Sequence, residues 1–335
     1  MRILGIETSC DDTTASVLDK NTVLSNVITR QIIHEEYKGV VPELASREHL
    51  RLIHQVVNKA LKDAKTDFSE LDGIAVTYGP GLVGAVLVGL NFAKGLSVSH
   101  NIPLIGVNHL EGHIAANYIS NEDWKPPYIT LLVSGGHSQL IHVKDYFDFE
   151  ILGTSIDDAV GEAFDKTAKL LDLGYPGGPI IDRYAKNGNP KAIPFPIPYV
   201  QNDNLNFSYS GLKTAVLNYV KKTPDYSLED VCASFQYVAI EALIKKLLRA
   251  AKHVGLKRIA IAGGVSANSY LRQRISDLQS KGFEFNFPAF EYCTDNAAMI
   301  AKAGQLRLSH GFTSALSLNA KPVLPLDKTR AYVEN

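Results

Sequence analysis

Cysteine is scarce in this chain. Cys10, Cys232 and Cys293 are spread through 335 residues. An odd, sparse set excludes a disulfide framework and fits a reducing compartment. An excess of charge of one sign is missing too, since 34 Lys and Arg offset 35 Asp and Glu for a net charge of −1. No global field then advertises nucleic acid or an acidic membrane, although a local patch or a partner subunit can supply positive surface. Long hydrophobic runs are also lacking. The stretch from Val83 to Ala93 ends at Lys94, short of the roughly 20 residues that span a bilayer. The opening, MRILGIE, meets an acid at Glu7, so no signal-peptide core fits there and a soluble cytoplasmic protein is expected. What is present is 45% hydrophobic residues, enough for one or two real cores. At about 150 residues per domain, the length suggests two domains.

The hydropathy pattern reads as two similar halves. Residues 2–7 and 14–19 are short β-type runs around the polar turn TSCDDT, and a third run covers 22–29. Pro42 stands where a helix can begin, and Ile53, Val56, Val57, Ala60, Leu61 and Ala64 then recur at helical spacing. Strands at 73–77 and 103–107 alternate with helices at 82–99 and from His109. After the linker WKPP (124–127), strand 128–133, turn SGGH, strand 138–143 and strand 149–153 repeat the opening. A helix over 157–171 leads to an irregular stretch, 174–207, that holds six of the fifteen prolines. Helices are expected at 210–221, 228–253, 266–280 and 295–309, with strands at 258–262 and 283–287. Two such halves imply two α/β domains facing a cleft, into which both polar turns can point.

Several motifs can carry chemistry. The turn from Glu7 to Thr13 gathers three acids and three hydroxyls. It can hold phosphate, orient a metal or supply a base, or it can be a solvated hairpin. SGGH (134–137) lets a backbone approach a ligand closely, or simply turns the chain. GPGLVG (79–84) fits G-x-G-x-x-G, but it follows the fourth strand, and no acid near the end of the next strand could hold a ribose. Close helix–strand packing explains its glycines. HLEGH (109–113) puts two imidazoles four apart on one helical face, where they can grip one metal. Glu111 lies two residues on from His109, about 200° round the helix, so it is not the general base of a metalloprotease. Asp295, expected to open the last helix, is a candidate third ligand, and two His with one carboxylate leave positions open. AGGVSAN (262–268) reads strand, glycine turn, helix start, where a nucleotide can meet a helix N-terminus or a polar residue can cap it. Lys245, Lys246, Arg249 and Lys252 form a basic helical face, solvated or turned to phosphates.

Together these segments resemble one family over nearly the whole chain. GIETSCDDT (5–13), GVVPELASREH (39–49), the 79–89 stretch, HLEGH, LLVSGGHS (131–138), SIDDAVGEAFDKTAKLL (155–171), YPGGP (175–179), FSYSGLKTA (207–215), AGGVSAN and CTDNAAMIA (293–301) stand in the order of the bacterial tRNA N6-adenosine threonylcarbamoyltransferase catalytic subunits. That family was once labelled an O-sialoglycoprotein endopeptidase. The resemblance implies an α/β fold of two duplicated ribonuclease-H-like domains, of the actin, sugar-kinase and Hsp70 kind, around a central cleft. The domains would be 1–120 plus 295–335, and 121–294 with its proline-rich insertion near 174–207.

It also implies transfer of a threonylcarbamoyl group from threonylcarbamoyl-AMP to N6 of the adenosine 3′ of the anticodon, in tRNAs reading codons that begin with A. His109, His113 and Asp295 would ligate one metal, iron or zinc. Leu132, Val133, Ser134, Gly135, Gly136, Asp165, Gly178, Asp182 and Asn268 would bind the adenylate. Asp11 would be the base or an orienter, and Asp12 stands where many relatives have Glu. The family works with a smaller paralogous subunit and an ATPase subunit. The chemistry suits the residues: a metal polarises and orients the donor, glycine-turn N–H groups hold phosphate and developing charge, and a carboxylate takes the amine proton. The rival readings are a small-molecule or sugar kinase on the same fold, the old metalloprotease label, and a non-catalytic paralogue. The His pair opposes the kinase, because Mg²⁺ prefers oxygen ligands. A paralogue without activity would be expected to have lost that pair.

Overall fold

Apolar residues on consecutive positions, rather than alternate ones, mark strands buried on both faces. In the computed structural model, which describes residues 1–37, 39–198 and 204–328, β1 (Arg2–Glu7) and β4 (Gly73–Gly79) are of this kind. The middle of the 174–207 stretch and the end of the 295–335 span lie outside those residues. The chain forms two compact units. The first takes residues 1–125, 145–149 and those from 288 on, and the second takes 126–144 and 150–287.

In the first unit, β2 (Asp12–Asp19), β3 (Thr22–Arg30) and β5 (Leu104–Asn108) complete a five-stranded sheet of order β3-β2-β1-β4-β5. β1 pairs antiparallel with β2 and parallel with β4. A short helix α1 (Ile33–Glu36) precedes α2 (Pro42–Asp63), which starts on its proline and buries Leu52, Ile53, Val56, Val57 and Ala60 with Leu4, Ile6, Val17 and Val76. α3 (Val83–His100) and α4 (His109–Ser120) follow β4 and β5. The last long helix of this unit lies on β1 so closely that a Cβ on Gly5 would run into the Ala297 carbonyl. Glycine is required there by the approach of two backbones.

The second unit repeats the device. β6 (Tyr128–Val133), β7 (Ser138–Asp145), β8 (Asp148–Thr154), β9 and β10 stand in the order β10-β9-β6-β7-β8, with β6 antiparallel to β7 and parallel to β9. β9 is Arg258–Ala262 and β10 is Glu284–Asn286. The helices are α5 (Val160–Leu170), α6 (Gly177–Ala185), α7 (Ser210–Lys222), α8 (Leu228–Val254), α9 (Ser269–Gln279) and, in the first unit, α10 (Ala297–Ser309). This is the duplicated α/β architecture that the two similar halves lead one to expect.

Three local departures have physical causes. The stretch 174–207 is not wholly irregular, since α6 forms there. Pro176 is its N-cap and Pro179 lies in the first turn, where no intrahelical N–H is needed. The helix expected from 157 starts at Val160, because Asp157 instead accepts from the Tyr209 N–H and the Ser210 hydroxyl at the start of α7. The helix expected over 266–280 is split. Gly264–Ala267 is a 3₁₀ turn, and the Asn268 side chain caps α9 by accepting from Leu271 N–H.

Candidate metal centre and nucleoside-binding residues

Asn108 ends β5, and its side chain accepts from Leu110 N–H, so α4 begins at His109. His109 and His113 are then four apart, on one face. Their rings meet edge to face, with centroids 4.7 Å apart. Asp295 does not open α10 as the sequence suggested. Asn296 is the N-cap, accepting from Met299 N–H, and Asp295 stands in the turn before it. Its Oδ1 lies 3.1 Å from His113 Nε2 and 3.6 Å from His109 Nε2. One ligand atom from each of the three falls within 4.8 Å of the others.

The residues behind this group prepare it for a cation. Glu7, at the end of β1, is buried; its Oε2 accepts from Thr77 Oγ1 at 2.5 Å and from His109 Nδ1 at 3.0 Å, and its other oxygen accepts from Ser9 N–H. A carboxylate only accepts, so His109 carries a proton on Nδ1, and Nε2 is the nitrogen whose lone pair becomes available to a metal once its own proton is lost. Burial alone would hold His109 below its usual range, but Asp295 and Glu7 overcome this and push it up to about 9. His113 is fully buried, and neither ring nitrogen makes a hydrogen bond. Two carboxylates around two imidazoles, one of them without hydrogen bonds, fit a divalent first-row metal ion.

Asp11 sits in the turn that follows Glu7, and Asp12 opens β2. Burial, then the charges of Asp11 and Asp295, push the Asp12 carboxyl up to about 7. The same influences push the Cys10 thiol well above its usual range, so it is no thiolate nucleophile. The first turn therefore lies within the electrostatic reach of Asp295. Glu111 makes a buried bidentate pair with Arg307, at 2.8 and 2.6 Å, and is not poised over the histidines. The protease reading fails on that contact.

In the second unit, Asn268 Nδ2 donates to Gln236 Oε1 at 2.8 Å and to Asp182 Oδ1 at 3.3 Å. Asp182 also accepts from Ser269 Oγ at 2.7 Å. Asp165 accepts from Gly177 N–H at 2.7 Å, at the start of α6, and the space above Gly178 is open. The Ser134 carbonyl is pressed against Gly161 and the Val133 carbonyl against Gly263, whose φ is +87°. Open space lies over Gly135 and Gly136. Leu132 and Val133 are wholly buried within the sheet, and the exposed part of this segment is the glycine turn after them. Of the basic face on α8, Lys246 is buried and donates to the Asn204 carbonyl, so it is not part of a solvated stripe.

Sequence reading singled out Glu7 and Ser9 only as members of the polar first turn, without their contacts, and passed over Gln236. Glu7 left one signal, an acid closing an otherwise apolar strand. Gln236 left another, a buried polar residue on the inward side of α8.

Duplicated five-stranded α/β units define the actin, sugar-kinase and Hsp70-like fold, here carrying a His–His–Asp group that could hold a metal ion. Solved structures agree on the fold. Full-length HypF in its phosphate- and nucleotide-bound form gives a TM-score of 0.63 at 14% identity, over 92% of this chain and 46% of that one. This chain thus spans a little under half of HypF. The ADPNP-bound activator of 2-hydroxyisocaproyl-CoA dehydratase from Clostridium difficile gives 0.54 at 12% identity, over 93% and 97%.

The family model described as TsaD, tRNA N6-adenosine threonylcarbamoyltransferase, matches residues 22–302. A protein of that name from Clostridioides difficile (strain 630) is 53% identical over 332 residues, 97% of this chain and 98% of its own length. One from Thermotoga neapolitana is 49% identical over 327 residues, 97% and 99%. The chain belongs to the tRNA N6-adenosine threonylcarbamoyltransferase family: it is a transferase that modifies N6 of adenosine in tRNA. The kinase and protease readings are not favoured. Among the described residues, no helix is long and apolar enough to cross a membrane.

Proposed function

We propose that the donor is threonylcarbamoyl-AMP and the acceptor is the adenosine 3′ of the anticodon in tRNAs reading codons that begin with A. The reaction takes place in the cytoplasm, with a smaller paralogous subunit and an ATPase subunit as partners. The observation that carries the reading is the His109–His113–Asp295 group, with Glu7 fixing His109 through Nδ1. Iron(II) is the resident ion, with zinc(II) as the alternative. When bound it supplies Lewis acidity and a fixed point for donor oxygens.

The chain's own residues divide the remaining work. Asp165, Gly178, Asp182 and Asn268 grip the adenylate, with the 132–136 backbone and its open glycine turn against the phosphate. Open space over Gly135, Gly136 and Gly178 and the Asn268–Asp182–Gln236 network support this assignment. Asp11 takes the proton from the adenosine amine or orients that amine. Its place in the turn after Glu7, beside Asp12, supports a role close to the metal ligands.

The test is reconstitution of the chain with its partners, threonylcarbamoyl-AMP and unmodified tRNA, followed by mass analysis of the nucleosides. Modified adenosine is expected. Unmodified tRNA with competent partners would refute the reading, and ADP release with a small acceptor and no tRNA would point to a kinase. Asp11→Ala should lower the transfer rate with adenylate and metal still bound, because a base matters most in the transition state.

A further inference from the structure

Three consecutive residues of α4 point in three directions, about 100° apart. Gly112 faces α10 so closely that a Cβ would meet Ile300 and Met299. His113 is on one side of that contact line and reaches Asp295, just before α10. Glu111 is on the other side and reaches Arg307, in the last turn of α10. The first turn of α4 is thus held from both flanks by the two ends of one helix, whose span from Ala297 to Arg307 is about 15 Å at 1.5 Å per residue.

Arg307 is itself held. It is buried, its guanidinium lies 5.4 Å from the Phe147 ring centroid, and Phe147 packs edge-on against His310 and Phe312. Between the flanks, Gly112 offers only an apolar seat, which resists approach but has no directional preference for rotation.

We propose that the Glu111–Arg307 pair is a positioning device that sets the roll of α4 on α10, and with it the bite of His109 and His113 toward Asp295. The lever is steep. A histidine nitrogen carried about 7 Å from the helix axis moves about 1.2 Å for a roll of about 10°. A metal–ligand bond tolerates only about 0.2 Å. A two-point, planar Arg–carboxylate contact fixes orientation where a single lysine contact would not.

The inference rests on the metal reading of His109, His113 and Asp295, and its test separates the two. Zinc(II) alone is titrated onto the full chain in competition with a chelator, alongside thermal melts of the metal-free protein. In Glu111→Leu with Arg307→Met, apolar groups replace the pair, an exchange that often leaves stability unchanged or higher. The double variant should fold with a melting temperature close to that of the unsubstituted chain and bind zinc about tenfold more weakly, or worse. Arg307→Lys keeps the charge but loses the fork. It should likewise weaken zinc, and it should change the visible d–d absorption of the cobalt(II) form, which reports ligand geometry. A folded double variant with native zinc affinity, or Arg307→Lys with native affinity and an unchanged cobalt spectrum, overturns the proposal. An unsubstituted chain that binds no zinc, cobalt or iron would overturn the metal reading, and this inference with it.

Discussion

Replacing Glu7 by Gln changes one oxygen to an amide nitrogen and nothing in size, yet it should disable a metal ligand that Glu7 does not share. In the native turn, Glu7 Oε2 accepts from His109 Nδ1 at 3.0 Å and from Thr77 Oγ1 at 2.5 Å, while its other oxygen accepts from Ser9 N–H. The Ser9 N–H can only donate, so it holds the surviving carbonyl oxygen of a glutamine. The new NH₂ must then face Thr77 and His109. Thr77 can rotate its hydroxyl and accept. His109 can accept only as the other tautomer, with its proton on Nε2, and that proton blocks the lone pair that faces Asp295. The cost is therefore the loss of the carboxylate partner, with His109 either turned to the wrong tautomer or left with the Ser9 hydroxyl, 3.1 Å from Nδ1, as its weaker acceptor.

Outer partners of ligating histidines are typically worth about 10–100-fold in metal affinity, or about 1.4–2.7 kcal/mol. The assay is zinc(II) competition on folded protein, with secondary structure checked by circular dichroism. Glu7→Ala should bind metal as poorly and also lose about 1–3 kcal/mol of stability, because buried donors are left unpaired. If Glu7→Gln binds zinc as tightly as the native chain, the tautomer argument is wrong.

Other expectations follow from single contacts. Gln236→Leu and Asn268→Ala should each weaken binding of an adenylate analogue, measured by calorimetry, at unchanged metal content; loss of metal in either would contradict the assignment. Gly5→Ala should cost about 1–3 kcal/mol by pushing α10 off β1 and should weaken metal binding through Asp295; a neutral melt would show that α10 shifts freely. Asp157 is held below the usual carboxylate range: its partial burial acts upward, but the Ser208, Tyr209 and Ser210 donors outweigh it. Its contribution is therefore present above an unfolded value of about 3.9 and lost as pH falls through the depressed folded value. Asp157→Asn should lower the melting temperature at pH 7 and less so at pH 3. An equal deficit at both would remove the charge argument.

Much of the fold could be read directly because β1, β4 and β6 are mostly apolar and buried nearly throughout, and the helices between them keep their spacing. α6 could not, because Pro176-Gly177-Gly178-Pro179 carries turn chemistry and only tertiary packing decides that a first turn can use those same residues. The His109–His113 half of the candidate metal group was legible from two histidines at helical spacing, with Asp295 entering as a distant candidate. Its place before the helix was not, since Asp295 and Asn296 are both good caps and the sequence does not say which one turns to Met299 N–H. Glu111 was rightly set aside as a base by angle alone. Its partner, 196 positions away, lay beyond any local pattern. The contact of Glu7 with His109 and the role of Gln236 were out of reach for the same reason, because the role of a buried polar group is fixed by what faces it.

α10 is seated without spacers. Gly5 and Gly112 both lie against its first turn, and its own Gly304 meets Ala75. Such a helix has no side-chain slack to take up, so its amides should exchange with solvent only when the whole unit opens. On the metal reading, the His109–His113–Asp295 group is in place before any ion arrives, so loading should need diffusion, dehydration and loss of the His109 proton rather than folding, and a chelator should strip the protein and leave it refillable without a refolding step.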